Sequence, residues 1–244
     1  MSINSVTPEK LEADGFAALR AREVTGKLSD RAAAELDSVA RTFEELVQDT
    51  QMGDGGRYRF RRYSRFKMTR LGEGVLTLEV TDSHSIHQTL EDNPLNGGVT
   101  RTFEPLSQTL MESAFLRELI TQDAEIVARL DPDFVSHPVA VGVHQVRILA
   151  VGEMEGKPAP EGVHRDAERF TFQHFWARRS VAGGEFVAYD QNKTESFRWL
   201  QQERLDSVLF LGSTWHSATP IVCQEGAERG YRDIFLVDFD PLEG

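Results

Sequence analysis

The spacing of apolar positions changes several times along the chain, and those changes divide it. Thr7-Pro8-Glu9 has the form of an N-cap, a proline at the first helical position and an acidic first turn. Ser29-Asp30 opens a second predicted helix, with Ala33, Leu36, Ala40, Phe43 and Val47 at three- and four-residue steps. Gly53, Gly55 and Gly56 interrupt it. The period then shifts to two in RYRFRRYSRFKM (57–68). Arg57, Arg59, Arg61, Tyr63 and Arg65 take one face, and Tyr58, Phe60, Arg62, Ser64 and Phe66 the other. That pattern predicts a strand with a guanidinium-rich side. GVLTLEV (74–80) predicts another strand, and a polar loop with Pro94 and Gly97-Gly98 follows. Residues 105–130 return to helical spacing through Leu110, Phe115, Leu116, Ile120 and Ile126.

From Pro138 onward the chain reads as a succession of strands. VAVGVHQVRILAV (139–151), RFTFQHFWARRSV (169–181), EFVAYD (185–190), SVLFLGS (207–213) and RDIFLVDF (232–239) are short and rich in β-branched and aromatic residues. No helical run alternates with them, which argues against a parallel β-α-β sheet. The expectation is a mainly β protein with flanking helices: an antiparallel, barrel-like sandwich in one domain over 1–244, with a helical part at 1–52 packed on it.

Composition narrows the partners. The 244 residues are 40% hydrophobic and 27% charged, with a formal net charge of −12, so no general attraction to nucleic acid or an anionic membrane is expected. The opening residues lack the basic start and apolar run of a signal peptide, and no stretch is apolar enough to span a bilayer. Cys223 is the single cysteine, so the chain can form no intrachain disulfide and fits a reducing cytoplasm. Oligomeric state is not legible.

Candidate chemistry centres on His164-Arg165-Asp166, which admits two readings. A protein-kinase catalytic loop would place a magnesium-binding Asn seven residues after the His, where Thr171 stands. The nearest imitation of DFG is Asp238-Phe239-Asp240, at the end of an apolar strand, so the kinase reading fails. The other reading is a facial triad for Fe(II), which takes two imidazoles and a carboxylate and leaves positions open. Residues i and i+2 of an extended segment point the same way, so His164 and Asp166 can converge on one ion. His216, in the turn TWHSATP, is the candidate third ligand. Arg232 opens the strand RDIFLVDF and would face the interior, where a guanidinium needs an anion. The far carboxylate of 2-oxoglutarate would suit it, as would an ordinary salt bridge to Asp233, Asp238 or a nearby Glu.

VGVHQVR (141–147), HRDAERFTFQHF (164–175), WHSATPIVCQEGAERGYRDIFLVDF (215–239) and RRYSRF (61–66) resemble the bacterial 2-oxoglutarate/Fe(II) dioxygenases typified by L-isoleucine hydroxylase. The resemblance implies a double-stranded β-helix, or jelly roll. It implies iron on His164, Asp166 and His216, and the cosubstrate's distal carboxylate on Arg232. It further implies use of 2-oxoglutarate and O2 to hydroxylate an unactivated C–H bond of a free L-amino acid or close derivative. An aspartate, in place of the small residue of related halogenating enzymes, favours hydroxylation over chlorination. Another small metabolite as substrate, or a non-catalytic metal-binding sensor, are the alternatives.

Arg61, Tyr63 and Arg65 share a strand face and could clamp a substrate carboxylate, or form a solvated basic edge strand. Gln145 and Arg147 could line the same pocket, or pair as structural polar residues. His174, among Phe172, Phe175 and Trp176, reads as a hydrogen-bonded core histidine, and His84 and His87 as loop residues.

Overall fold

The computed structural model describes residues 6–71, 75–90, 95 and 97–242. In chain order its elements are α1 (Pro8–Asp14), β1 (Phe16–Leu19), α2 (Ala21–Thr25), α3 (Asp30–Ala34), α4 (Leu36–Thr42), β2 (Val47–Gln48), β3 (Arg59–Leu71), β4 (Val75–Val80), β5 (Ser85–His87) and β6 (Thr100–Thr102). They continue with α5 (Gln108–Met111), α6 (Ala114–Leu130), β7 (Val139–Val151), β8 (Phe170–Arg179), β9 (Val181–Gly183), β10 (Phe186–Tyr189) and β11 (Glu195–Trp199). Four strands close the chain: β12 (Ser207–Leu211), β13 (Trp215–Ala218), β14 (Ile221–Cys223) and β15 (Arg229–Pro241).

The strands build an antiparallel jelly roll. The large sheet runs β1-β12-β8-β15-β7-β3-β2, with β4 on β3; a smaller layer consists of β11-β10-β13 and β14-β9. Between the layers Val146 and Ile148 of β7 and Ile234 of β15 meet Val181 of β9 and Ile221 of β14. Phe186 and Ala188 of β10 meet Val208 and Phe210 of β12 in the same way. Helices cover the other face of the large sheet. Phe115, Leu116, Leu119 and Ile120 of α6 pack on Val141 and Val143 of β7 and Phe235 and Val237 of β15.

This three-layer arrangement explains why VAVGVHQVRILAV is so uniformly apolar. All but the last of its thirteen residues are buried, because helices lie on one side of β7 and the second sheet on the other. A sheet with one wet face would have alternated.

Several expected elements take a different form. The second helix ends at Thr42, and Val47 lies in a two-residue strand, exposed. Its buried positions are Ala32, Val39 and Thr42, while Ala33 is exposed. The 105–130 helix is two helices, because Ser113 ends one and caps the next. Its Oγ donates to Leu110 O at 2.7 Å and accepts from Leu116 N at 3.1 Å. The helical N-terminal part also supplies β1 to the edge of the large sheet, where Phe16 pairs with Phe210. Within the polar loop, β5 and β6 form a hairpin that includes His87; Gly74 and Pro94 lie outside the described residues.

Candidate functional site

The segment after β7 returns between the sheets and meets β13. His164 and His216 form a mutual backbone bridge, each N–H donating to the other's carbonyl at 3.0 Å. His216 therefore belongs to a strand rather than to the expected turn, and its pairing with Ala188 of β10 fixes its direction. Gly212 lets the 164–168 segment approach, since a Cβ there would stand 2.9 Å from Asp166 O and 2.2 Å from Glu168 O. α1 braces the same turn: Thr214 Oγ1 donates to Gly15 O at 2.6 Å.

These contacts bring His164, Asp166 and His216 together, with one ligand atom from each within 4.8 Å of the others. His164 Nε2 is 3.5 Å from Asp166 Oδ1, and His216 Nε2 is 3.6 Å from Asp166 Oδ2. The opposite ring nitrogens are committed elsewhere. His164 Nδ1 lies 2.9 Å from Gly162 O and His216 Nδ1 lies 3.1 Å from Thr214 O. A carbonyl only accepts, so each Nδ1 carries a proton and each Nε2 is turned toward Asp166, with His164 Nε2 also 3.2 Å from Glu161 Oε1. Two neutral imidazole nitrogens and one carboxylate oxygen suit a first-row divalent ion with positions left open.

The electrostatics are those of a cation site. Burial opposes ionisation of Asp166, yet the charges of His216 and His164 pull its carboxyl down to about 2. Burial likewise opposes protonation of His164, but Asp166 and Glu161 outweigh it and push the imidazole up to about 9. His216 is held below its ordinary value by burial.

Arg232 is among the largest fully buried side chains, only 1% exposed. Its Nη2 donates to Gln201 Oε1 at 3.0 Å, while Nε and Nη1 find no hydrogen-bond partner among the described residues. Gln201 is fixed in turn by Gln173, whose amide donates to the same oxygen at 2.6 Å. Burial pulls the guanidinium down to about 10, which leaves it charged at neutral pH. Among the described residues Arg232 makes no salt bridge: Asp233 pairs with Arg147 instead, at 2.8 Å from both Nε and Nη2. A buried cation with two unused donors requires an anion. The cleft that holds the triad extends along β15 to Ile234, two residues from Arg232, and along β8 to Gln173.

The remaining candidates separate by strand face. Arg61 lines the cleft; its Nε is 3.4 Å from Asp49 Oδ2, and its Nε and Nη2 make no hydrogen bond among the described residues. Tyr63 stands behind the wall, its ring 4.5 Å from that of His144. Arg65, opposite Gly142, does not reach the cleft. The edge-strand alternative also falls, because β3 is paired with β7 on one side and with β2 and β4 on the other.

Gln145 and Arg147 are a correction. They occupy the odd positions of β7, with Val141 and Val143, and so turn toward the helices. Gln145 donates to Thr42 Oγ1 at 2.7 Å, and Arg147 to Asp233 and to Glu44. The even positions, His144, Val146 and Ile148, face the cleft.

Sequence reasoning missed Arg101, which arrives from β6 and places beside the same wall an Nε without a hydrogen-bond partner among the described residues. It also passed over Arg59, His144 and Asp238 as lining residues. The period-two pattern of β3 already put Arg59 on the face of Arg61. Nothing local marks Arg101.

Comparison with known proteins agrees with this geometry. A curated relative, L-isoleucine-4-hydroxylase from Bacillus thuringiensis, is 26% identical over 191 residues, 77% of each chain. The crystal structure of IDO from Bacillus thuringiensis superposes with a TM-score of 0.80 at 21% identity, covering 100% of this chain and 97% of that one. A bsmA homolog from Methylobium petroleophilum PM1 gives a TM-score of 0.83 at 25% identity, covering 99% and 94%. A family model described as 2OG-Fe dioxygenase matches residues 40–238, and the chain belongs to that family, whose enzymes use Fe(II), 2-oxoglutarate and O2.

Proposed function

We propose that the protein hydroxylates an unactivated C–H bond of a free L-amino acid or a close derivative, with Fe(II) held by His164, Asp166 and His216. The observation that carries this reading is the buried Arg232, two residues along β15 from Ile234 of the cleft that contains the triad, with Nε and Nη1 unpartnered among the described residues. Its fork matches the distal carboxylate of 2-oxoglutarate, whose chelating end would reach the metal. When bound, iron and 2-oxoglutarate supply dioxygen activation coupled to release of succinate and CO2.

The protein's own part is to hold and to exclude. The Nδ1 bonds of His164 and His216 fix both rings so that Nε2 faces the ion. The apolar walls of Phe186, Phe210 and Ile234 keep water from the reacting carbon. Arg61, with Arg59 and Arg101, receives the substrate's carboxylate. Burial lowers the Arg61 guanidinium to about 9, still charged at neutral pH. One buried carboxylate, Asp49, stands against the guanidinium groups of Arg59 and Arg61, and Arg101 donates to Gln88 Oε1 at 2.6 Å, which leaves donors for an incoming anion. The amino-acid substrate class is supported by the relative named L-isoleucine-4-hydroxylase.

The test is a panel of L-amino acids incubated with protein, Fe(II) and 2-oxoglutarate. Succinate and a product heavier by one oxygen are expected to form in equal amounts with at least one member. Succinate formation that no amino acid stimulates would contradict the substrate class.

A further inference from the structure

Several polar groups of the cleft serve neither the metal nor the carboxylate partners, among them His144 and Thr171, whose buried Oγ1 also lacks a hydrogen-bond partner among the described residues. His144 is 8% exposed, lines the cleft from β7, and has an Nδ1 with no hydrogen-bond partner among the described residues. Its Nε2 lies 3.0 Å from Asp238 Oδ2. The carboxylate accepts, so the proton sits on Nε2 and Nδ1 carries a lone pair. The wall therefore offers a buried acceptor, and a ligand filling the space must bring a donor.

The dyad is built rather than incidental. Asp238 Oδ1 also accepts from Gly142 N at 3.1 Å, which fixes the carboxylate across the β7–β15 ladder. A Cβ at Gly142 would stand 2.3 Å from that oxygen, so only glycine leaves the carboxylate room. Tyr63 packs on the imidazole from β3, in register with it. The negative charge of Asp238 behind the ring makes Nδ1 the richer acceptor, as in histidines oriented by a carboxylate. Burial also holds the imidazole below its ordinary value, consistent with a neutral ring.

From this geometry we infer that His144, oriented by Asp238, receives the substrate's amino group, with its carboxylate on the Arg59, Arg61 and Arg101 guanidinium groups that line the same cleft. The inference rests on the proposed amino-acid substrate class and names the residue that enforces it. A carboxylic acid with the same carbon skeleton but no amino group leaves Nδ1 buried and unpaired. Sites built to receive a hydrogen bond reject such analogues strongly.

The experiment compares kcat/KM for the best amino acid of the panel with that for its deaminated analogue, in the wild type and in four variants. His144→Phe is expected to cut kcat/KM for the amino acid at least thirtyfold and to leave the analogue within threefold, so the preference collapses. His144→Asn keeps an acceptor near the Nδ1 position and is expected to retain part of it. Asp238→Asn and Gly142→Ala, which act on the ring through its partner, are expected to fall between. Thermal melts of each variant identify any that fail to fold. A preference unchanged in folded His144→Phe and Asp238→Asn would overturn the inference, as would a wild type that treats both compounds alike. If the wild type consumes no amino acid at all, the parent reading fails visibly and carries this one with it.

Discussion

Removing the Arg232 guanidinium should act on one ligand. Two charge-assisted hydrogen bonds to a buried carboxylate are together worth about 3 kcal/mol, roughly a hundredfold in binding. Arg232→Ala is expected to raise KM for 2-oxoglutarate by about that factor, and Arg232→Lys to recover little, because an ammonium lacks the fork. Steady-state kinetics with varied 2-oxoglutarate check both. Asp233→Ala touches a different cation: it strips Arg147 of its bidentate partner and leaves a buried charge, costing about 3–5 kcal/mol of stability in denaturant unfolding. The two neighbours on β15 thus separate function from stability, since alternate residues of one strand face opposite layers. Arg232 was singled out by its place at the start of a strand, whereas alternation misassigned Gln145 and Arg147. Their spacing put both on one face of β7, but spacing alone does not say which face is the cleft.

At the scale of elements, the junction of α6 with the large sheet depends on a buried polar cluster. His174 lies between Asp123 Oδ2 at 2.9 Å and Ser207 Oγ at 2.7 Å, and Ser207 donates to Leu205 O at 2.7 Å. The arrangement has the members of a hydrolytic triad, but His174 and Ser207 are fully buried beneath α6, so it ties helix to sheet. His174→Ala would strand Asp123, and a loss of about 3–5 kcal/mol is expected by chemical denaturation. Gly212→Ala is expected to weaken metal binding at least tenfold without unfolding the protein, because the added methyl pushes the 164–168 segment away from His216; metal titration measures it. Long strands and their apolar continuity were legible because both faces are buried. The short strands β11, β13 and β14 were not, since three to five residues carry too little period. The turn expected around His216 is one of them: Trp215–Ala218 is held as a strand by pairing with β10, not by its own residues.

Over the whole molecule, the site is a product of closure. The HxD spacing and a later histidine could be read directly, and the family resemblance supplied the jelly roll that joins them. Arg101, His144 and Asp238 could not be read, because they come from β6, β7 and β15 and meet only through sheet register and the second layer. Cross-layer packing also sets the tolerance of the fold. Phe235 contacts Phe43, Phe115 and Trp176 with ring centroids 5.1, 6.1 and 5.5 Å away, so Phe235→Ala should cost about 3–5 kcal/mol. The most direct test of the central claim is an anaerobic titration of metal-free protein with Fe(II) in the presence of 2-oxoglutarate, repeated for Asp166→Ala and His216→Ala. One tightly bound iron per chain in the wild type, lost in both folded variants together with succinate formation, is the expected result. Iron binding and turnover that survive either substitution would contradict the account.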